Sequence, residues 1–373
     1  MLMLAIALSM PLPAQDQPRF DSMWQTVVAA YDTSRGGYVT KDGAPVEAAI
    51  ELSLQLAREQ NDAAALERAI TTLDWTLGLF DSVGGGFLTR ARDADPKNAS
   101  FEKMTIPNAR RLEALIEAWT ATDDERYRRF GAQTVDYFDR VLLDGRGGFV
   151  HGQVGDRQLV PESNGAAIRA WMEWAARTGS TRFRDFAWKS LDRSWDECWM
   201  GAPGMIRRGT FGEITEAPRL VDQIEMGRAY LFAAHVAGRE TDLQRAQEIA
   251  DTMLVTYADP KGGFKTRAMP NKKGVLKSAK REFEENVRAA RFLAELAAVA
   301  GQSHYRDVAR ATLAAFEEKE YEKASLEEAA EVALALRAMT APDLPERPEW
   351  KVIAEKQPTQ DRSASFKLKR HRR

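Results

Sequence analysis

The chain predicts an all-α fold, an α/α toroid of six helical hairpins (a six-hairpin barrel) with short β-hairpins in its long loops. Three observations carry this. First, a Gly-Gly-aromatic turn recurs at Gly36-Gly37-Tyr38, Gly85-Gly86-Phe87, Gly147-Gly148-Phe149 and Gly262-Gly263-Phe264, with a frayed copy at Gly201-Ala202-Pro203-Gly204-Met205. The glycines at 37, 86, 148, 204 and 263 are spaced by 49, 62, 56 and 59 residues, as in an array of similar supersecondary units. Second, each interval holds two helical patterns joined by a short polar turn. Third, one amphipathic helix is left over at each end, and pairing the two closes a ring.

The elements follow in order. Residues 19–31 read as the unpaired first helix, and 46–58 with 63–80 as the first hairpin. In 106–121, Leu112, Leu115, Ile116 and Trp119 recur at helical spacing. Thr122 or Asp123 is a candidate N-cap for the following helix, which runs to Leu142. The next hairpins are 164–176 with 183–195, 220–236 with 243–257, and 283–300 with 305–316. Residues 326–339 are the leftover last helix. Helices after the long connections are rich in small residues (Gly165, Ala166, Ala167 and Ala170; Ala289, Ala290 and Ala294). Six helices converging on one axis call for small side chains, so these are assigned to the inner ring. The long connections then gather on one rim, the face to search for function.

The 373 residues are 44% hydrophobic and 29% charged with net charge −2, an ordinary balance for one large helical core. The toroid is assigned to residues 18–340. The single cysteine, Cys198, excludes an internal disulfide and reads as a packed apolar residue. With only four scattered histidines beside it, no metal site is expected, and no cofactor motif is present. The apolar run in residues 1–14 is too short to span a bilayer. It reads as a signal peptide cleaved after Ala14, which would place the protein in the periplasm or outside the cell; the alternative is an extra apolar helix turn in a cytoplasmic protein. Residues 341–373, rich in proline and ending in Lys-Arg-His-Arg-Arg, read as a disordered basic tail.

The run Phe80 to Phe87 (FDSVGGGF), followed by Phe101-Glu102-Lys103-Met104 and Asn108, resembles the barrel portion of a family that joins a thioredoxin-like domain to a six-hairpin, glycosidase-like barrel. The resemblance extends through Ser163-Asn164-Gly165, Asp222 and Glu285-Asn286. It covers roughly residues 30–320, without the thioredoxin-like domain and without any Cys-x-x-Cys. Ser100, Pro107 and the stretch Val150-His151-Gly152-Gln153 stand where the family has a His, an Asp and an acidic stretch. That family is itself similar to sugar 2-epimerases and α/α-barrel glycoside hydrolases. The resemblance therefore implies a carbohydrate ligand, and a separate thioredoxin-like protein as a conceivable partner.

Carboxylates stand at the starts of inner helices. Asp222, Glu102, Glu162 and Glu285 are the candidate catalytic groups, since glycosidic cleavage needs one protonated and one ionised carboxyl. Acids in a helix's first turn are equally explained as dipole partners. His151 is the one histidine in a long loop. Phe87 and Phe149 are either sugar platforms or buried anchors of the turns. Arg110 and Arg111, with Lys103, Arg207, Arg208 and the basic run 265–281, would give the rim a positive field that attracts an anionic glycan; solvated lysines are the plain alternative. Asn108 and Asn286 enter as ligand-binding candidates through the resemblance. Sequence-specific nucleic-acid binding has no supporting motif. Two readings remain: a carbohydrate-processing enzyme, or a binding or scaffold module that kept the barrel and lost the chemistry.

Overall fold

Each Gly-Gly-aromatic turn is pinned by the side chain of a helix that begins later in the chain. In the computed structural model, which describes residues 11–91, 101–154, 157–268 and 279–340, Phe149 donates its N–H to Asn164 Oδ1 at 2.8 Å. Asn164 Nδ2 donates to the Phe149 carbonyl (2.9 Å) and to Val160 O (3.0 Å). Asn108 holds Phe87, Asn286 holds Phe264 and Gln223 holds Met205 in the same way. Only the first turn differs, with Tyr38 N–H bonded to Thr72 Oγ1. Gly147 and Gly148, at φ 111° and 94°, supply the backbone that the third turn needs. The expected β-hairpins reduce to single antiparallel bridges, such as Phe80 with Phe87 and Leu143 with Phe149.

The helices are α1 (Gln17–Ala29), α2 (Glu47–Gln60), α3 (Ala63–Leu77), α4 (Thr105–Thr122), α5 (Glu125–Tyr137, continued by a π turn Phe138–Leu142), α6 (Pro161–Thr178), α7 (Thr181–Cys198), α8 (Leu220–Ala237), α9 (Glu240–Thr256), α10 (Phe283–Ala300), α11 (Ser303–Ala314), α12 (Glu318–Glu322) and α13 (Leu326–Ala338). Helices α2, α4, α6, α8, α10 and α13 contact one another in that circular order, and α13 returns to α2. Helix α1 packs on α13, so the two chain ends form the sixth hairpin and close the ring. Arg19 clasps Glu318 at 2.7 Å and lies 3.8 Å over the Tyr321 ring, tying α1 to α12.

At the tight-turn end, α4 ends on Asp123 in the left-handed region (φ 56°), and Asp124 caps α5 by accepting from Arg126 N–H. The expected cap at Thr122 or Asp123 is thus displaced by one residue, because Asp123 is needed to end the preceding helix. Leu12 packs into the core and the Pro13 carbonyl accepts from Asp16 N–H, so residues just before Ala14 are part of the folded body. The rest of the N-terminal apolar run, and the basic tail, lie outside the described residues. Among the described residues no helix is long and apolar enough to cross a membrane.

Candidate functional site

The inner-ring assignment holds, but for a different physical reason. Small residues let neighbouring inner helices approach sideways. A Cβ on Gly165 would sit 2.4 Å from the Glu225 backbone on α8, and one on Gly227 would sit 2.3 Å from the Phe292 ring on α10. The axis itself is lined by charge. Counted from the N-caps, the sixth inner-helix residue is Arg110, Glu225, Arg288 or Glu331, and the ninth is Glu113, Arg169, Arg228 or Arg291. The thirteenth is Glu59, Glu117, Glu173 or Glu295. Steps of three and four keep these on one face.

They pair across the ring. Arg169 forks onto Glu113 (2.6 and 3.1 Å) and reaches Glu225 at 3.3 Å. Arg228 forks onto Glu295 (2.9 and 3.0 Å), and Arg291 joins Glu51, Glu295 and Glu331. Burial would push Glu51 and Glu225 up, but their arginines hold Glu51 at about 2 and Glu225 well below the usual range. The cavity among Glu51, Arg110, Glu113, Arg169, Arg228 and Glu331 holds about 20 Å³, room for one water and far too small for a sugar. The centre of the toroid is a salt-bridged plug.

Several candidates therefore change role. Asn108 and Asn286 are fully buried clamps of the turns, because both ends of each amide are taken by backbone. Phe87 and Phe149 are buried anchors, with 0% and 1% of their surface exposed, and cannot stack on a ligand. Arg111 is also buried: it donates to the carbonyls of Leu88 (2.5 Å) and Thr89 (2.6 Å) and pairs with Glu47 at 3.0 Å. Arg110 joins the axial network, 3.6 Å from Glu225 and 3.4 Å from Glu327. Buried Lys103 holds Asp81 (2.6 Å) and the Gly85 carbonyl. These cations are engaged by the chain's own acids and carbonyls, so they do not make the expected positive mouth. Most of the basic run 265–281 lies outside the described residues.

One group of candidates does converge. At the starts of α6 and α8, Arg207 binds Asp222 (Nε to Oδ2, 3.0 Å) and Glu162 (3.0 Å), with Glu216 at 3.6 Å. Asp222 also accepts the Glu162 N–H at 3.1 Å, which couples the two helix starts. Complete burial pushes Asp222 up to about 6 against the pull of Arg207. His151 bonds Ser163 through Nδ1. Burial pushes its pKa down, while Glu162, Glu102 and Glu216 pull it back. Glu285, at the start of α10, has its Oε2 buried with no partner. Burial raises it to about 7 despite Arg219 and Arg288, with Glu162 adding to the rise. Glu102 is exposed at the edge of this cluster, and its carbonyl accepts from Thr89.

Sequence reading placed Arg207 only among the basic residues of the rim and Ser163 only in the resemblance. It missed Arg207 as the hub and Glu216 altogether, because loop residues carry no period. It also missed the axial stripe, which Arg and Glu at steps of three and four along the alanine-rich helices could have revealed.

No family model matches the chain, nor does any curated protein. Solved structures share its fold at low identity. A D-mannose isomerase superposes with TM-score 0.69 at 12% identity, covering 88% of this chain and 99% of that one. The cellobiose 2-epimerase from Bacillus thermoamylovorans gives 0.68 at 12%, covering 80% and 86%. A family 76 glycoside hydrolase (mannosidase) from Bacteroides thetaiotaomicron gives 0.64 at 13%, covering 88% and 98%. The chain is thus a six-hairpin toroid, distantly similar in fold to sugar epimerases.

Proposed function

We propose that the protein recognises a carbohydrate at the long-loop rim, over the starts of α6, α8 and α10, and moves a proton on it. The observation that carries this is Glu285: a carboxyl that titrates near neutrality, with one oxygen buried and unpartnered beside Glu162 and Arg219. A group with such a pKa serves as a general acid at neutral pH. His151, kept neutral by burial and oriented by Ser163, is the complementary base. Arg207 fixes both Glu162 and Asp222: fully buried Asp222 holds the site's shape, and half-buried Glu162 offers an acceptor to sugar hydroxyls. Fold likeness to epimerases, an isomerase and glycoside hydrolases supports a sugar ligand.

Calorimetry and product analysis over neutral, amino and acidic saccharides test this. Turnover should fall as pH rises through about 7, where Glu285 loses its proton. Glu285→Gln should lower it by about 100-fold or more while binding persists. If no saccharide binds, the reading is wrong. The plugged axis favours a second reading, a binding module without catalysis. Binding with no turnover in wild type or Glu285→Gln would decide for it.

A further inference from the structure

Seven large apolar side chains stand out in water among the described residues, and six of them lie in the long connections: Val83, Phe101, Val154, Met200, Phe211 and Ile214. Isolated exposed apolar residues are ordinary; here six of the seven belong to the connections of one rim. Two of them are aromatic, Phe101 in the connection before α4 and Phe211 in the connection before α8. Phe101, 85% exposed, directly precedes Glu102, whose charge reaches His151. Its segment is laced to the His151 loop: Thr105 N–H donates to His151 O at 3.0 Å, and Gln153 N–H to Lys103 O at 3.1 Å.

In the connection before α8, Phe211 is 95% exposed at the tip of a hairpin that starts from Arg207. The hairpin is anchored, not loose. Arg208 and Leu159 exchange both backbone bonds (2.8 and 3.0 Å), and Gly209 N–H donates to Glu213 O at 2.8 Å. At the tip, Phe211 N–H donates to Glu213 Oε2 at 3.1 Å and Arg208 Nη1 to Gly212 O at 3.0 Å. Four extended residues span at most about 14 Å, so Phe211 is tethered within that distance of the Arg207 that binds Glu162 and Asp222. The backbone thus holds Phe211 at a fixed place on the rim, with its ring in solvent and within reach of the polar cluster.

We propose that the ligand is an extended saccharide of more than one unit lying across this mouth, with Phe101 and Phe211 stacking on rings to either side of the unit held at the His151, Glu162 and Glu285 cluster. This rests on the carbohydrate reading and adds the ligand's length and its flanking contacts. Sugar rings present apolar C–H faces to aromatic planes, while their hydroxyls take the acceptors at the centre.

The test titrates the full-length protein and its Phe101→Ala, Phe211→Ala and Val255→Ala variants with two series. One is glucose, cellobiose and longer cello-oligosaccharides; the other is mannose and manno-oligosaccharides. Val255, 84% exposed on the outer helix α9 and outside the long connections, is the control. Wild-type affinity should rise with length. Each Phe variant should weaken the longer oligomers by about tenfold, the loss expected of one aromatic stacking contact, with monosaccharide affinity and melting temperature unchanged. Affinity independent of length, or equal losses for monosaccharide and oligomer, overturns this inference alone. Failure of every member of both series to bind wild type overturns this inference; the carbohydrate reading falls with it only when amino and acidic saccharides also fail to bind.

Discussion

The amide of Asn164 engages three backbone groups and touches no solvent, so its chemistry is fixed by geometry as much as by type. Asn164→Asp keeps the shape but replaces two donors with a carboxylate facing two buried carbonyls. It should cost about 2–4 kcal/mol, from groups left unsatisfied and a buried charge. Denaturant unfolding would measure it, and wild-type stability would show that the clamp contributes nothing. The importance of Asn108 and Asn286 was legible from their place in a motif; their role was not. An amide aimed at a ligand and one aimed at a turn have the same sequence, and the turn lies 21 residues from Asn108 and 22 from Asn286. Asp222, Glu162, Glu285 and His151 are a different case. Helix-start positions and a long loop sufficed to place them on one rim, but only the fold brought Arg207 between them.

Helices announced themselves by period, and inner was separable from outer by small residues. The reason for those residues sits at the α6–α8 contact. Gly165→Ala makes this testable, because two effects oppose. Helix propensity favours alanine by about 1 kcal/mol. The added Cβ, 2.4 Å from the Glu225 backbone, must push α8 away, and overpacking of this kind costs about 1–3 kcal/mol. The obstacle is backbone, not a flexible side-chain end, so the steric cost should win and the melting temperature should fall. A higher melting temperature would mean that the ring has slack at this contact. The short helix α12 was not anticipated; it is held by Tyr321, whose hydroxyl donates to Leu313 O and whose ring carries Arg19.

Across the molecule, the axial plug makes stability depend on pH. Glu117 and Glu173 stand at the same level of adjacent helices near the tight-turn end. Burial, then the neighbouring carboxylate, raises Glu117 to about 8, with Arg58 at 3.5 Å as a weak counterweight. Glu51 also faces it, and the plug's other acids and arginines lie along the same axis. A carboxyl raised in the folded state stabilises fully below its unfolded pKa of about 4.3, and that stability is lost as pH rises towards 8. Glu117→Gln should therefore match wild type near pH 4–5 and exceed it by about 2–5 kcal/mol at pH 9. Melting curves across pH would show it, and a gap that does not grow with pH would refute the buried pair.

By itself, the sequence determined the ring. Turn recurrence, helical period and two unpaired end helices are local or near-periodic signals, and the need to bury apolar faces leaves one way to combine them. It also determined which face carries the long loops. Tertiary structure alone decided what fills the axis, which amides clamp turns, and which carboxylates share an arginine. Those outcomes depend on distances between residues far apart in the chain, and a charged side chain reads alike whether it meets solvent, a ligand or its opposite across a ring.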